Sequence, residues 1–126
     1  MLCGAGIVFS AVLQSCKTAF YAPNTISENK IVVSKKHFAQ NKFVLIKNDQ
    51  LQAPVYLTKI NESEYSAISM LCTHKSCELK PAGINLVCPC HGSEFSNTGK
   101  VLSPPAEKDL KKYNITSDME NIYIQL

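Results

Sequence analysis

A chain of 126 residues with 45% apolar side chains can bury one modest core, and 18% charged residues is too few for a disordered or supercharged chain. The net charge of +3 rests on thirteen lysines with no arginine, which argues against nucleic-acid recognition through bidentate arginine contacts. A weak preference for acidic partners is all that the charge implies.

The N-terminus differs in character from the rest. From Met1 to Cys16, MLCGAGIVFSAVLQSC, there is no charged side chain, and Ile7–Leu13 is almost wholly apolar. A bilayer span needs about 20 such residues, so this run fits the apolar stretch of an export signal instead. It closes on LQSC, Leu13 to Cys16, which resembles the lipobox of bacterial lipoproteins. That resemblance implies a cysteine, Cys16, that becomes the lipid-modified start of an exported, membrane-tethered chain on the periplasmic side of a bacterial envelope. It departs from the pattern in lacking a basic residue before the apolar run. The polar stretch Lys17–Asn29 has no periodicity and reads as a linker.

From Lys30 to Leu126 the chain is written in short runs rich in β-branched and aromatic residues. Lys30–Ser34, Lys42–Lys47, Pro54–Ile60, Tyr65–Leu71, Ile84–Cys88, Lys111–Thr116 and Asn121–Leu126 are the expected strands. Turn residues separate them, and Ser34–Asn41 has room for one helical turn. Many short strands at near-even spacing imply an all-β domain over residues 30–126, a small antiparallel sandwich or barrel.

Two loops of that domain carry the chemistry. CTHKSC runs from Cys72 to Cys77 and CPCHGSEF from Cys88 to Phe95, with a turn at Pro81–Gly83 that can bring them side by side at one tip. Each box holds a cysteine and a histidine at short spacing, Cys72-x-His74 and Cys88-x-x-His91, and each has one further cysteine, Cys77 and Cys90. A structural zinc ion would draw four ligands from this set, although neither box has the Cys-x-x-Cys knuckle of a zinc ribbon.

These boxes resemble the cluster-binding motifs of the Rieske iron–sulfur family, with six residues matching in type and order. The resemblance implies a [2Fe-2S] cluster, with Cys72 and Cys88 on one iron and His74 and His91 on the other. It also implies a disulfide, Cys77–Cys90, as in the family's high-potential branch. Two thiolates and two neutral imidazoles around a +2 core sum to zero, so an added electron meets no net negative charge. Histidine ligation therefore raises the potential. Each ligated imidazole keeps one ring N–H, so reduction can carry a proton and the potential should fall as pH rises. Ser93 matches a family serine that donates to a bridging sulfide, and Phe95 stands where the members of highest potential carry a tyrosine. Ser103–Leu110, SPPAEKDL, resembles the proline loop that covers the cluster, with Pro104 stiffening it.

The resemblance implies a one-electron carrier acting on a redox partner protein, with no substrate-turnover site of its own. The alternative is the iron–sulfur subunit of a larger oxidoreductase, a quinol-oxidising bc-type complex or a periplasmic oxidase. One departure bears on the choice. Quinol-oxidising members place an apolar residue and a glycine after the first-box histidine, where this chain has Lys75 and Ser76. The third histidine, His37, reads as a surface residue, and no second metal set of two histidines and a carboxylate exists.

Overall fold

Residues 19–126 are described by the structure, a computed structural model, so the export signal at residues 1–16 and the lipidation at Cys16 lie outside the described residues. Among the described residues there are twelve strands in three four-stranded sheets. The strands are β1 (Thr25–Ser27), β2 (Lys30–Ser34), β3 (Phe43–Ile46), β4 (Val55–Lys59), β5 (Tyr65–Ser69) and β6 (Lys80–Ala82). They continue with β7 (Asn85–Val87), β8 (Glu94–Ser96), β9 (Val101–Ser103), β10 (Lys112–Tyr113), β11 (Ile115–Ser117) and β12 (Asn121–Gln125). Every pairing within the sheets is antiparallel. Among the described residues no helix is long and apolar enough to cross a membrane.

The sheets run β1-β2-β12-β11, β10-β5-β4-β3 and β6-β7-β8-β9. The middle one is covered on both faces, and side-chain alternation along its strands sorts the core in two. Val44, Ile46, Val55, Leu57 and Ala67 face Ile31, Val33, Ile122 and Ile124 of the first sheet. Their neighbours Leu45, Tyr56 and Ile68 turn the other way, onto Leu86 and Phe95 of the third sheet and onto Met70, Leu79, Cys72 and Cys88. Burial on both faces is why β3, β4 and β5 read as nearly continuous apolar runs rather than alternating ones.

All seven expected runs contain strands, with one division. Lys111–Thr116 is two strands, because the chain leaves β5 after Tyr113 and joins β12 at Ile115. The expected helical turn is a short 3-10 turn at Lys35–Phe38, capped by the Ser34 side chain accepting the Lys36 amide. The third sheet, between β5 and β10, was mostly hidden. Only β7 was expected, since Pro81 reads as a turn residue; it sits in edge strand β6, where its missing N–H costs no ladder bond.

The linker expected over residues 17–29 is the main difference. From Phe20 onward this stretch belongs to the domain. Tyr21 bridges Leu45 in parallel, the Leu45 amide donates to the Phe20 carbonyl at 2.9 Å, and the Ala22 amide donates to Leu45 at 2.9 Å. Ala22 is buried in the first core, and β1 pairs with β2. Backbone bonding to an open sheet edge needs no hydrophobic periodicity, which is why the sequence pattern did not reveal it.

Candidate metal centre

Both boxes are loops at strand ends, and the same backbone device closes each. In the first, the Cys72 amide donates to the Cys77 carbonyl at 2.8 Å and the Ser76 amide returns to the Cys72 carbonyl at 2.9 Å. In the second, the Cys88 amide donates to the Ser93 carbonyl at 2.8 Å and the Gly92 amide returns to the Cys88 carbonyl at 2.9 Å. The residue before each closing carbonyl is left-handed, Ser76 at φ +60° and Gly92 at φ +83°. Glycine takes this conformation freely, whereas at Ser76 the Cβ is held against a carbonyl.

The fold brings the two loops together. A disulfide joins Cys77 to Cys90, with 6.5 Å between their Cα atoms. The sulfur of Cys88 lies within 4.8 Å of both disulfide sulfurs, which are already bonded to each other and are not thiolate ligands. The other two cysteines among the described residues, Cys72 and Cys88, are free, buried and in side-chain contact. The rings of His74 and His91 meet edge to face, with centroids 5.1 Å apart. His91 is exposed, whereas the Nδ1 atom of His74 is buried and has no hydrogen-bond partner.

Burial pushes the Cys72 thiol up. The His74 and Lys75 amides and the Cys88 and Ser93 side chains stabilise its thiolate and outweigh burial, so the net direction is downward. Ser93 is fully buried, and its Oγ accepts the Ala106 amide at 2.9 Å. A hydroxyl that accepts from one side keeps its own proton for the sulfur on the other.

Ala106 belongs to the proline loop, which therefore folds over the boxes. Thr73 Oγ1 in the first box donates to the Lys108 carbonyl at 2.7 Å, so the loop is fastened to both boxes. The Val101 amide donates to Asp109 Oδ1 at 2.9 Å, and Ala106 and Leu110 are buried beneath. Pro104 precedes a cis peptide bond to Pro105 and is itself exposed, so the fastening runs through Ala106 and Lys108 rather than through Pro104. Thr73 had no signal in sequence, since its partner is the carbonyl of a residue 35 positions away. Phe95 is fully buried between the boxes and the middle sheet, while Lys75 is exposed. His37 lies apart, packed on Phe20 with ring centroids 5.5 Å apart.

Two buried thiols in contact and two imidazoles edge to face, one with an unpartnered buried nitrogen, suit a soft or borderline metal centre. Residues 20–114 match the family model of the Rieske [2Fe-2S] domain. The chain belongs to the Rieske family. Its cofactor is accordingly the [2Fe-2S] cluster, and zinc is set aside. The Rieske domain is 41% identical over 59 residues to the cytochrome b6-f complex iron-sulfur subunit of Prochlorococcus marinus (strain MIT 9303), covering 45% of this chain and 33% of that protein. It is 35% identical over 75 residues to the corresponding subunit of Synechococcus sp. (strain CC9605), covering 56% of this chain and 42% of that one. The chain thus spans roughly a third to two fifths of the length of these curated relatives. Among solved structures, it superposes on the plasma membrane Rieske protein of Synechocystis PCC 6803 with a TM-score of 0.63 and 30% identity, covering 74% of this chain and 95% of that one. The ferredoxin of carbazole 1,9a-dioxygenase from Nocardioides aromaticivorans IC177 shares the fold alone, with a TM-score of 0.54 and 19% identity over 75% of this chain and 93% of that one.

Proposed function

We propose that this Rieske domain is a one-electron carrier, exported and held at a membrane through a lipid on Cys16, that exchanges electrons with a protein partner at its box end. When bound, the cluster supplies a couple that gains and loses a single electron. Cys72 and Cys88 serve as thiolates to one iron, and His74 and His91 as neutral imidazoles to the other. The observation that carries this ligand set is the buried, unpartnered Nδ1 of His74 beside the His91 ring, across the same pair of loops as two free thiols. A buried ring nitrogen left without a partner costs about 1–3 kcal/mol, a cost that ligation removes.

The other residues divide the remaining work. The amides of His74 and Lys75 and the Ser93 hydroxyl hold negative charge on Cys72. The disulfide and the fastened proline loop keep water from the thiolates, while His91 stays exposed and offers its free ring N–H to solvent. Electron uptake is thereby linked to proton uptake at the box end.

A second reading, the iron–sulfur subunit of a quinol-oxidising complex, is favoured by the names of the curated relatives. The exposed charge of Lys75 beside His74 favours the carrier reading, because the quinol-oxidising members it resembles carry at this position an apolar side chain that packs beside the quinol pocket.

A redox titration followed by electron paramagnetic resonance at several pH values tests the function. Mixed thiolate and imidazole ligation gives a potential of about −150 to +300 mV, well above that of all-cysteine centres, that falls with rising pH, together with the low average g of histidine-ligated clusters. A strongly negative, pH-independent potential would refute the ligand set, and oxidation of a quinol by the isolated protein would favour the second reading.

A further inference from the structure

If Cys16 carries the lipid, as proposed above, little chain separates it from the fold. Phe20 is already bonded to the edge of β3, and Ala19 packs against the second core. The three-residue step from Cys16 to Ala19 reaches at most about 11 Å, whereas a free stretch from Cys16 to Lys30 would have reached roughly 50 Å. A domain held that closely cannot turn over on its anchor, so the end where Ala19 enters faces the bilayer.

That end is identified by the strand registers. Ala19 and Phe20 enter beside Phe43 at the start of β3, while the other end of β3, Ile46, pairs with Val55, which faces Ser69, just before Cys72. The boxes are thus at the far end of the middle sheet. In the third sheet, β6 leaves the first box and β7 returns to the second, so the Gly83–Ile84 turn between them points away from both. This turn and the chain entry meet in one groove, lined by Ala19, Phe20, Lys42, Phe43, Lys80 and Gly83.

The surface of this end suits a lipid headgroup layer. Ile84 is 79% exposed at the turn tip, and Phe20 is 39% exposed. No acidic side chain lines the groove, and Lys42 and Lys80 flank it. The adjacent β4–β5 turn carries Glu62 and Glu64, of which Glu62 is paired with Lys59 at 3.3 Å. Apolar tips among lysines are the combination that enters an anionic interface.

We infer that the Ala19–Phe20 entry, the Ile84 turn, Lys42 and Lys80 form a surface that rests on an anionic membrane, with both cluster-binding boxes directed away from it. The inference depends on the tether proposed above, and it assigns the electron partner to the aqueous side rather than to the bilayer.

The chain contains no tryptophan, so a single introduced one is a clean probe. Ile84→Trp places it at the proposed contact, and Gln50→Trp, in the exposed β3–β4 loop, places it at the box end. The lipidated full-length protein is bound to phosphatidylcholine–phosphatidylglycerol vesicles, with and without brominated acyl chains, and the visible cluster spectrum checks folding. Expected is loss of most Ile84→Trp fluorescence on bromination, with Gln50→Trp unchanged. Quenching of Gln50→Trp but not Ile84→Trp, or of neither in vesicle-bound protein, would overturn the orientation while leaving the tether intact. Protein without lipid on Cys16 by mass spectrometry, and not bound to vesicles, would overturn the tether and the inference with it.

Discussion

Replacing Ser93 with alanine removes one hydroxyl from a fully buried position between the second box and the proline loop. Its oxygen accepts the Ala106 amide at 2.9 Å, and its proton stabilises the Cys72 thiolate. The two losses differ in kind. Without the oxygen, the Ala106 N–H is left unpaired in a buried place, which costs about 1–3 kcal/mol and lowers the unfolding midpoint. Without the proton, the sulfur loses a hydrogen bond to a charged group worth about 1.5–3 kcal/mol. Only the part of that energy that differs between oxidation states moves the potential. Taking this as about half, at 59 mV per 1.36 kcal/mol for one electron, the Ser93→Ala potential falls by about 30–60 mV. Protein-film voltammetry at one pH, paired with urea unfolding of parent and variant, reads both effects. An unchanged potential with a lowered unfolding midpoint would reduce Ser93 to an anchor for the loop and refute its donation to sulfur.

Three further outcomes are expected. Ser76→Gly relieves the left-handed strain at φ +60° and should raise stability by about 1 kcal/mol in urea unfolding; no gain would mean the loop carries no such strain. Replacing Cys77 and Cys90 together with serine opens a cross-link of sequence separation 13, and should cost about 3 kcal/mol and bleach the cluster absorbance at lower denaturant. A double variant as stable as the parent would count against the cross-link as a support of the boxes. Burial pushes the Tyr56 phenol from 10.0 up to about 12, so the folded state favours the neutral form. The stability tied to it is complete below pH 10 and is lost as pH rises toward 12. Comparing parent and Tyr56→Phe by circular dichroism in alkali checks this, and identical alkaline losses would contradict it.

The boxes were legible in the sequence because metal ligation depends on residue type and order over a few positions. Cys72, His74, Cys88 and His91 stood out for that reason, and Cys77 and Cys90 followed from the family resemblance. The main strands were legible because burial of the middle sheet on both faces leaves apolar runs at Phe43–Ile46, Val55–Lys59 and Tyr65–Ser69. The third sheet was not, because its strands are short and share their residues with box and turn chemistry, as Pro81 and Glu94 show. The loop carrying Pro104 was recognised, but its fastening was not. Thr73 and Ser93 reach backbone groups of Lys108 and Ala106, and a backbone partner leaves no mark on the sequence.

By itself, then, the amino-acid sequence determined the family, the cluster chemistry and an all-β scaffold, since side-chain identity and local periodicity encode all of these. Tertiary structure alone decided where the domain begins. Phe20–Ala22 docks on Leu45 and Thr25–Ser27 on Lys30–Val32 through main-chain hydrogen bonds that almost any residues would make. That pairing converts an apparent tether into part of the sheet, because an open strand edge accepts main-chain partners whatever their side chains.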